Sequence, residues 1–186
     1  DIRNFDALNK VLMQENPDFI FHLAAQAIVS TSYLEPLETI SSNVIGTTHI
    51  LESLRLSNHQ CTALIITSDK AYDNVEQIWG YKENDAMGGK DIYSGSKGAA
   101  ELVVKSYYHS FFKLEKSNVR LSIARAGNVI GGGDWAKDRV IVDAMIAWSK
   151  GNKVEIRSPN ATRPWQHVLE PLSGYLSLGQ HLYADN

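Results

Sequence analysis

The sequence has 186 residues, 44% of them hydrophobic and 21% charged, with a formal net charge of −3. Such a chain is long enough for one globular domain with a core, and neither its charge nor any basic run points to nucleic acid. Cys61 is the lone cysteine, so no intrachain disulfide forms and a reducing, cytoplasmic setting fits; no apolar stretch reaches the ~18 residues of a membrane span, and no signal peptide is visible.

Phe5, Leu8, Val11 and Leu12 recur at helical spacing, and Asn4 or Asp6 suits the cap of that helix. The nearly continuous apolar run from Asp18 to Ala25 predicts a buried parallel strand. After a loop, a long helical pattern covers about residues 36–56, with Pro36 in its first turn. Thr62–Ser68 reads as the second strand, followed by a polar, aromatic loop to about residue 90 and a helix to about Phe112. Val119–Arg125 is the third strand, and a glycine-rich loop, 127–134, comes after it. A helix over about 138–150 and a short strand at Lys153–Ile156 complete the pattern. Alternation of this kind predicts an α/β fold: a doubly wound, Rossmann-like parallel sheet with helices on both faces. The chain opens on Asp1 in what reads as a strand end and closes inside a helical pattern at Gln180–Tyr183, so both ends read as cuts through a larger protein.

Tyr93 and Lys97 stand four residues apart on the predicted helix after residue 90, hence on one face. An ammonium beside a phenol favours the phenolate and lowers the tyrosine pKa from about 10. Such a tyrosine takes the proton that leaves when a carbinol is oxidised by hydride transfer. The same spacing also fits an exposed tyrosine on a surface helix. What adds weight is position: ligands of parallel sheets bind at the carboxyl ends of the strands. Three polar clusters fall there, after Ala25, at Ser68-Asp69-Lys70 and after Arg125.

His22-Leu-Ala-Ala-Gln26, Asn43-Val-Ile-Gly-Thr47, Ser68-Asp69, Tyr93-x-x-x-Lys97 and Arg125-Ala-Gly-Asn128 occur in that order. Together they resemble the extended short-chain dehydrogenases/reductases that act on nucleotide sugars. Thr67–Asn74, Arg125–Trp135 and Arg163–Pro171 are similar to the CDP-glucose 4,6-dehydratase branch, and the likeness covers essentially the whole chain. The family's G-x-G-x-x-G turn, where helix-terminal N–H groups hold the pyrophosphate, is absent from these residues. The resemblance implies an NAD-binding domain over residues 1–150 that lacks this turn, with 151–186 starting the substrate-binding region.

It also implies an NAD-dependent hydro-lyase that works by internal redox. Tyr93 takes the C4 hydroxyl proton as hydride leaves C4, Lys97 lowers the tyrosine pKa and holds the nicotinamide ribose, and Ser68 binds the C4 oxygen. Asp69 protonates the departing C6 hydroxyl, a role that calls for a pKa raised by burial. Related dehydratases carry a C5 base, glutamate, where this chain has Lys70. A lysine serves as base if its pKa is depressed, or otherwise stabilises the enolate electrostatically. Asp1 and Ile2 are expected along the adenine, and Ala24, Ala25 and Gln26 along the cofactor. Asn128, Arg139 and Arg163 are expected at the sugar diphosphate, where guanidinium binds phosphate bidentately. Asn43 and His22 read as buried, partnered core groups, and Trp135 and Trp165 as pocket lining or core. No metal is expected, since no cluster has ligand spacing. The partners implied are a nucleotide sugar and a second copy of the chain, a homodimer or higher homo-oligomer formed through the two long helices. Other sugar-nucleotide dehydratases, a 4-epimerase of the same family and a non-catalytic dinucleotide-fold binding module remain alternatives.

Overall fold

The computed structural model describes residues 1–114 and 116–184. Helix α1 (Phe5–Glu15) begins where expected, with the Asn4 side chain accepting the Ala7 N–H at 3.0 Å. Strand β1 (Phe19–His22) is shorter than the apolar run suggested: the chain leaves the sheet after His22, and Ala24 and Ala25 lie in the loop beyond it. That loop holds a short helix, α2 (Val29–Leu34), which the periodicity did not show. The predicted long helix over 36–56 is present but interrupted. It consists of α3 (Pro36–Ile40), a π-helical turn (Ser41–Ile45) and α4 (Gly46–Leu56).

Strand β2 (Cys61–Ser68) leads into a 3₁₀ turn (Asp69–Ala71). Helix α5 (Ile92–Tyr107) is capped by Asp91, whose carboxylate accepts the Ser94 N–H at 2.9 Å, and a further π-helical turn runs from Tyr108 to Phe112. Then come β3 (Val119–Ala126), β4 (Asn128–Ile130), α6 (Val140–Ser149), β5 (Trp165–His167) and α7 (Leu169–Ala184). The strand expected at Lys153–Ile156 does not form; that segment has no ladder partner. Its four-residue alternation carried no information about a neighbour. The partner of β4 is instead Trp165–His167, in parallel register from Asn128↔Trp165 to Ile130↔His167.

The main sheet has the order β1-β2-β3, all parallel. Central strand β2 is buried on both faces, which explains why it reads as an unbroken apolar run. Cys61, Ala63 and Ile65 face one layer of helices, packing with Ile50, Leu51 and Leu54 of α4 and Val104 of α5; Leu8 and Leu12 of α1 border that cluster. Helix α7 covers the opposite face. Its Gly179 brings the backbone so close to Phe21 and Leu64 that an added Cβ would sit 3.4 and 3.5 Å from their side chains. Arg120 of β3 also donates to the Leu182 carbonyl of α7 at 2.9 Å. The result is the expected α/β sheet with helices on both faces. Among the described residues no helix is long and apolar enough to cross a membrane.

Candidate active site

Tyr93 and Lys97 occupy the first two turns of α5 and are almost fully buried, with 8% and 7% of their surface exposed. Lys97 Nζ lies 6.0 Å from the Tyr93 ring centroid. Burial changes the electrostatics expected from spacing alone. It lifts the Tyr93 phenol above its ordinary pKa; the Ser68 hydroxyl opposes this, the Asp69 and Asp91 carboxylates add to it, and Arg139 opposes it. Burial likewise brings Lys97 down to about 8, with Glu101 pulling the other way. The reason is that desolvation penalises whichever form is charged. At this pair it exceeds the mutual stabilisation that adjacency suggested.

The triplet after β2 meets this pair. Ser68 Oγ donates to the Asp69 carboxylate at 3.0 Å and accepts the Lys70 N–H at 3.2 Å, so it caps the 3₁₀ turn. The hydroxyl therefore serves both readings, a strand-end cap and a polar contact to Tyr93. Asp69 and Lys70 are half-buried at the rim of the sheet.

Asn43 ties the loop after β1 to α5. Its carbonyl oxygen accepts the Gln26 N–H at 2.8 Å, and its amide donates to the Gln26 carbonyl at 3.0 Å and to Ser96 Oγ at 2.8 Å. It sits in the π-helical turn, a local widening that often accompanies functional sites. One turn on, Thr47 Oγ1 donates to the Asn43 carbonyl at 2.8 Å and lies 3.0 Å from His22 Nε2. Because the threonine proton is committed to that carbonyl, His22 Nε2 is the donor. Burial, aided by Lys97, lowers His22 to about 4, so it is a neutral core histidine as the sequence suggested.

A cleft of about 480 Å³ opens beside this loop, lined by Asp1, Ile2, Arg3, Ala24, Ala25, Gln26, Glu38 and Ser42. That size suits a small-molecule ligand. Five of its lining residues are those expected along a dinucleotide: Asp1, Ile2, Ala24, Ala25 and Gln26. The first three residues are well fixed. Ile2 packs directly over Gly46, where a Cβ would come within 2.5 Å of it, and His49 Nδ1 donates to its carbonyl at 2.9 Å. Arg3 pairs with both Asp1 and Glu38. Small side chains at Ala24 and Ala25 and a carboxylate at one end fit the adenosine and ribose portions of NAD.

The residues expected at the sugar diphosphate are more dispersed. Asn128 opens β4 and faces Trp165 across the ladder, two residues beyond Arg163. Gly127 permits this approach, since a Cβ there would meet Pro164 Cγ at 2.7 Å. Arg163 is exposed and donates to the Thr162 carbonyl at 2.6 Å. Arg139 is half-buried before α6, with Nε 2.8 Å from the Asp134 carboxylate, and its charge reaches Tyr93. Trp135 and Trp165 are 68% and 45% exposed, so neither is core.

Sequence reasoning assigned no role to Glu101, Thr67 or Arg125, yet they form a buried polar cluster beside the pair. Glu101 is 1% exposed. It accepts from Thr67 Oγ1 at 2.5 Å and from Arg125 Nε and Nη2 at 2.9 and 2.5 Å. The signal was present: a glutamate one turn after Lys97, among alanines and valines, needs a partner.

The sequence matches the GDP-mannose 4,6 dehydratase family over residues 1–185. It is 50% identical to CDP-glucose 4,6-dehydratase of Salmonella typhimurium, across the whole chain and 52% of that protein. CDP-paratose 2-epimerase of Salmonella typhi is 27% identical over 85% of the chain and 48% of its own length. The chain thus spans about half the length of these curated relatives. Among solved structures, RMD from Pseudomonas aeruginosa complexed with NADPH superposes with a TM-score of 0.81 at 29% identity, covering 97% of this chain and 61% of that one. DesIV, the dTDP-glucose 4,6-dehydratase of Streptomyces venezuelae with NAD and TYD bound, shares the fold with a TM-score of 0.83 at 22% identity, covering 96% and 53%.

Proposed function

The chain belongs to the GDP-mannose 4,6 dehydratase family, and from that premise we propose that it carries the catalytic residues of an NAD-dependent CDP-glucose 4,6-dehydratase. The observation that carries this reading is the contact between two clusters. Ser68 Oγ donates to Asp69 and its hydroxyl also acts on the Tyr93 phenol, so an acid for dehydration stands near a base for carbinol oxidation. An epimerase needs only the second. The 50% identity to a CDP-glucose 4,6-dehydratase supports the substrate.

Asp1, Ile2, Ala24, Ala25, Gln26, Tyr93 and Lys97 would hold NAD+, which when bound would supply the redox chemistry, reversible hydride transfer between C4 and C6 of the sugar. The chain's residues move the protons. Tyr93 takes the C4 hydroxyl proton while Ser68 fixes the C4 oxygen. Burial favours the protonated phenol, while Ser68 and then the Arg139 charge favour the phenolate. The C4 carbonyl then acidifies the C5 proton. Lys70 removes it or stabilises the enolate charge, Asp69 gives its proton to the C6 hydroxyl, and water leaves. Atoms balance as CDP-glucose going to CDP-4-keto-6-deoxyglucose plus water. Asn128, Arg139 and Arg163 hold the sugar diphosphate.

In this reading residues 1–150 serve the cofactor and 151–186 begin the substrate region. The division is one of role rather than packing, because α7 lies on the sheet. The exposed apolar residues Leu37, Ile40, Ile45 and Leu102 on α3, the π-helical turn and α5 favour a homodimer joined through these helices. Use of a nucleotide sugar as substrate supports a cytoplasmic location.

Mass spectrometry of products from the protein with CDP-glucose and NAD+ tests the reading. Loss of one water without net NADH is expected. An unchanged mass, with sugar inversion detected by NMR, would replace dehydration with epimerisation.

A further inference from the structure

Four segments meet beside the candidate catalytic groups: the tip of β2, helix α5, the tip of β3 and the loop from Tyr72 to Met87. Glu101 and Arg125 touch all four. Glu101 lies on α5, one turn beyond Lys97 and two beyond Tyr93. Its carboxylate accepts from Thr67, the residue directly before Ser68. Arg125, on the last turn of β3 before Asn128, binds the same carboxylate through Nε and Nη2. The guanidinium then reaches the loop: Nη1 donates to the Glu83 carbonyl at 3.3 Å, and its carbon lies 4.5 Å from the Tyr72 ring centroid.

We propose that Glu101 is a positioning residue, whose buried carboxylate, gripped by Arg125 and Thr67, sets the distance between the Ser68–Lys70 triplet and the Tyr93–Lys97 pair. The geometry favours this over a generic structural ion pair. The Thr67 hydroxyl joins the carboxylate directly to the strand end that bears Ser68, and Thr67 is also the ladder partner of Arg125. Planar guanidinium and carboxylate also fix orientation as well as distance. Through Thr67 the carboxylate controls where Ser68 stands against the Tyr93 phenol, and through the helix it faces Lys97.

The charged and titratable groups around the pair are known. Tyr93 is faced by Asp69, Asp91 and Arg139, and Lys97 by Glu101 on its own helix and His22 on β1. Since Ser68 lowers the Tyr93 pKa, displacing it raises the phenol midpoint. Since Glu101 raises Lys97, neutralising it lowers the Lys97 midpoint below about 8.

The inference rests on the proposed dehydratase reading for its kinetic consequence, but its test does not. In Thr67→Val, the Tyr93 midpoint is followed by phenolate absorbance, assigned by subtracting a Tyr93→Phe sample. In Glu101→Gln, the Lys97 midpoint is followed by NMR of 13C-lysine-labelled protein, assigned with Lys97→Met. The expected results are a higher Tyr93 midpoint and a lower Lys97 midpoint. Turnover of CDP-glucose by Thr67→Val should fall about 10- to 100-fold in kcat with KM nearly unchanged, as for a misplaced reacting group. An unmoved Tyr93 midpoint in Thr67→Val overturns the proposal, whether or not Glu101→Gln folds. If the unaltered protein turns over no nucleotide sugar, the dehydratase reading falls while the two midpoints still decide the role of Glu101.

Discussion

The rim of the main sheet and the segment from Asn128 to His167 hold the two halves of the candidate site in contrasting ways. At the rim, Tyr93, Lys97, Asn43 and Glu101 are each less than a tenth exposed, and Asn43 and Glu101 are tied to neighbouring elements by hydrogen bonds. In the later segment, Arg139 is half-buried, Arg163 and Trp165 are exposed, and the ion pairs Arg139–Asp134 and Arg157–Asp138 lie at the surface. Tyr93 and Lys97, the pair to which the proposed mechanism gives proton transfer, sit where burial alters their pKa. The residues proposed to anchor the diphosphate are more exposed, where a guanidinium keeps its charge at little cost. On the proposed reading, the fold separates proton chemistry from anchoring.

The sharpest break of this contrast is Tyr93→Phe. It deletes one hydroxyl and no packing volume, and kcat should fall about 10³-fold, within the range for loss of a general base or acid, while thermal stability stays close to that of the parent. A variant that retained full turnover would remove Tyr93 from the chemistry.

Next comes the comparison of two ion pairs. Glu101→Ala leaves the Arg125 guanidinium buried without its counter-charge, and breaking such a pair costs about 3–5 kcal/mol. Arg157→Ala removes an exposed pair of the same type, which is worth about 0–1 kcal/mol. Urea unfolding of the two variants measures both. Equal losses would show that the buried cluster is no more than another surface contact.

Acid stability tests the rim again, through His22. Its folded pKa of about 4 lies below its ordinary 6.5. The unfolded chain therefore takes up the proton first as pH falls, and stability present above pH 6.5 is lost between 6.5 and about 4. A shift of this size corresponds to roughly 3 kcal/mol in all, about 2 of it by pH 5. His22→Gln keeps an Nε2 donor toward Thr47 but does not titrate, so its unfolding free energy should depend less on pH across that window. Parallel pH curves for the two proteins would show that His22 is solvated.

The contrast also accounts for what the sequence made visible. The sheet was legible because β2 is largely apolar and β3 alternates apolar with polar residues, and the Tyr93–Lys97 pair because four residues on a helix is a fixed geometry. Even so, adjacency gave the wrong balance of forces at that pair, since spacing carries no measure of desolvation. Glu101, Thr67 and Arg125 lie 34 and 24 residues apart along the chain, and only the parallel register of β2 with β3 brings them together. The β4–β5 ladder escaped notice for a related reason: β4 and β5 are three-residue, partly exposed strands whose pairing depends on Gly127 yielding room for Pro164. Residues 153–156 alternate better than either and yet have no neighbour to pair with.

The smallest expected effect falls on the exposed half. Arg163→Ala should raise KM for the nucleotide sugar about 10-fold and leave kcat nearly unchanged, since a charge-assisted hydrogen bond contributes about 1.5–3 kcal/mol and diphosphate anchoring is equal in ground and transition states. The side chain donates to its own neighbour's carbonyl, so part of that energy is offset by releasing the Thr162 contact, which is why the lower end of the range applies. Substrate-free stability should not change, because no packed group is lost. A fall in kcat with KM constant would instead place Arg163 at the reacting sugar, and the separation of anchoring from proton chemistry would fail at this residue.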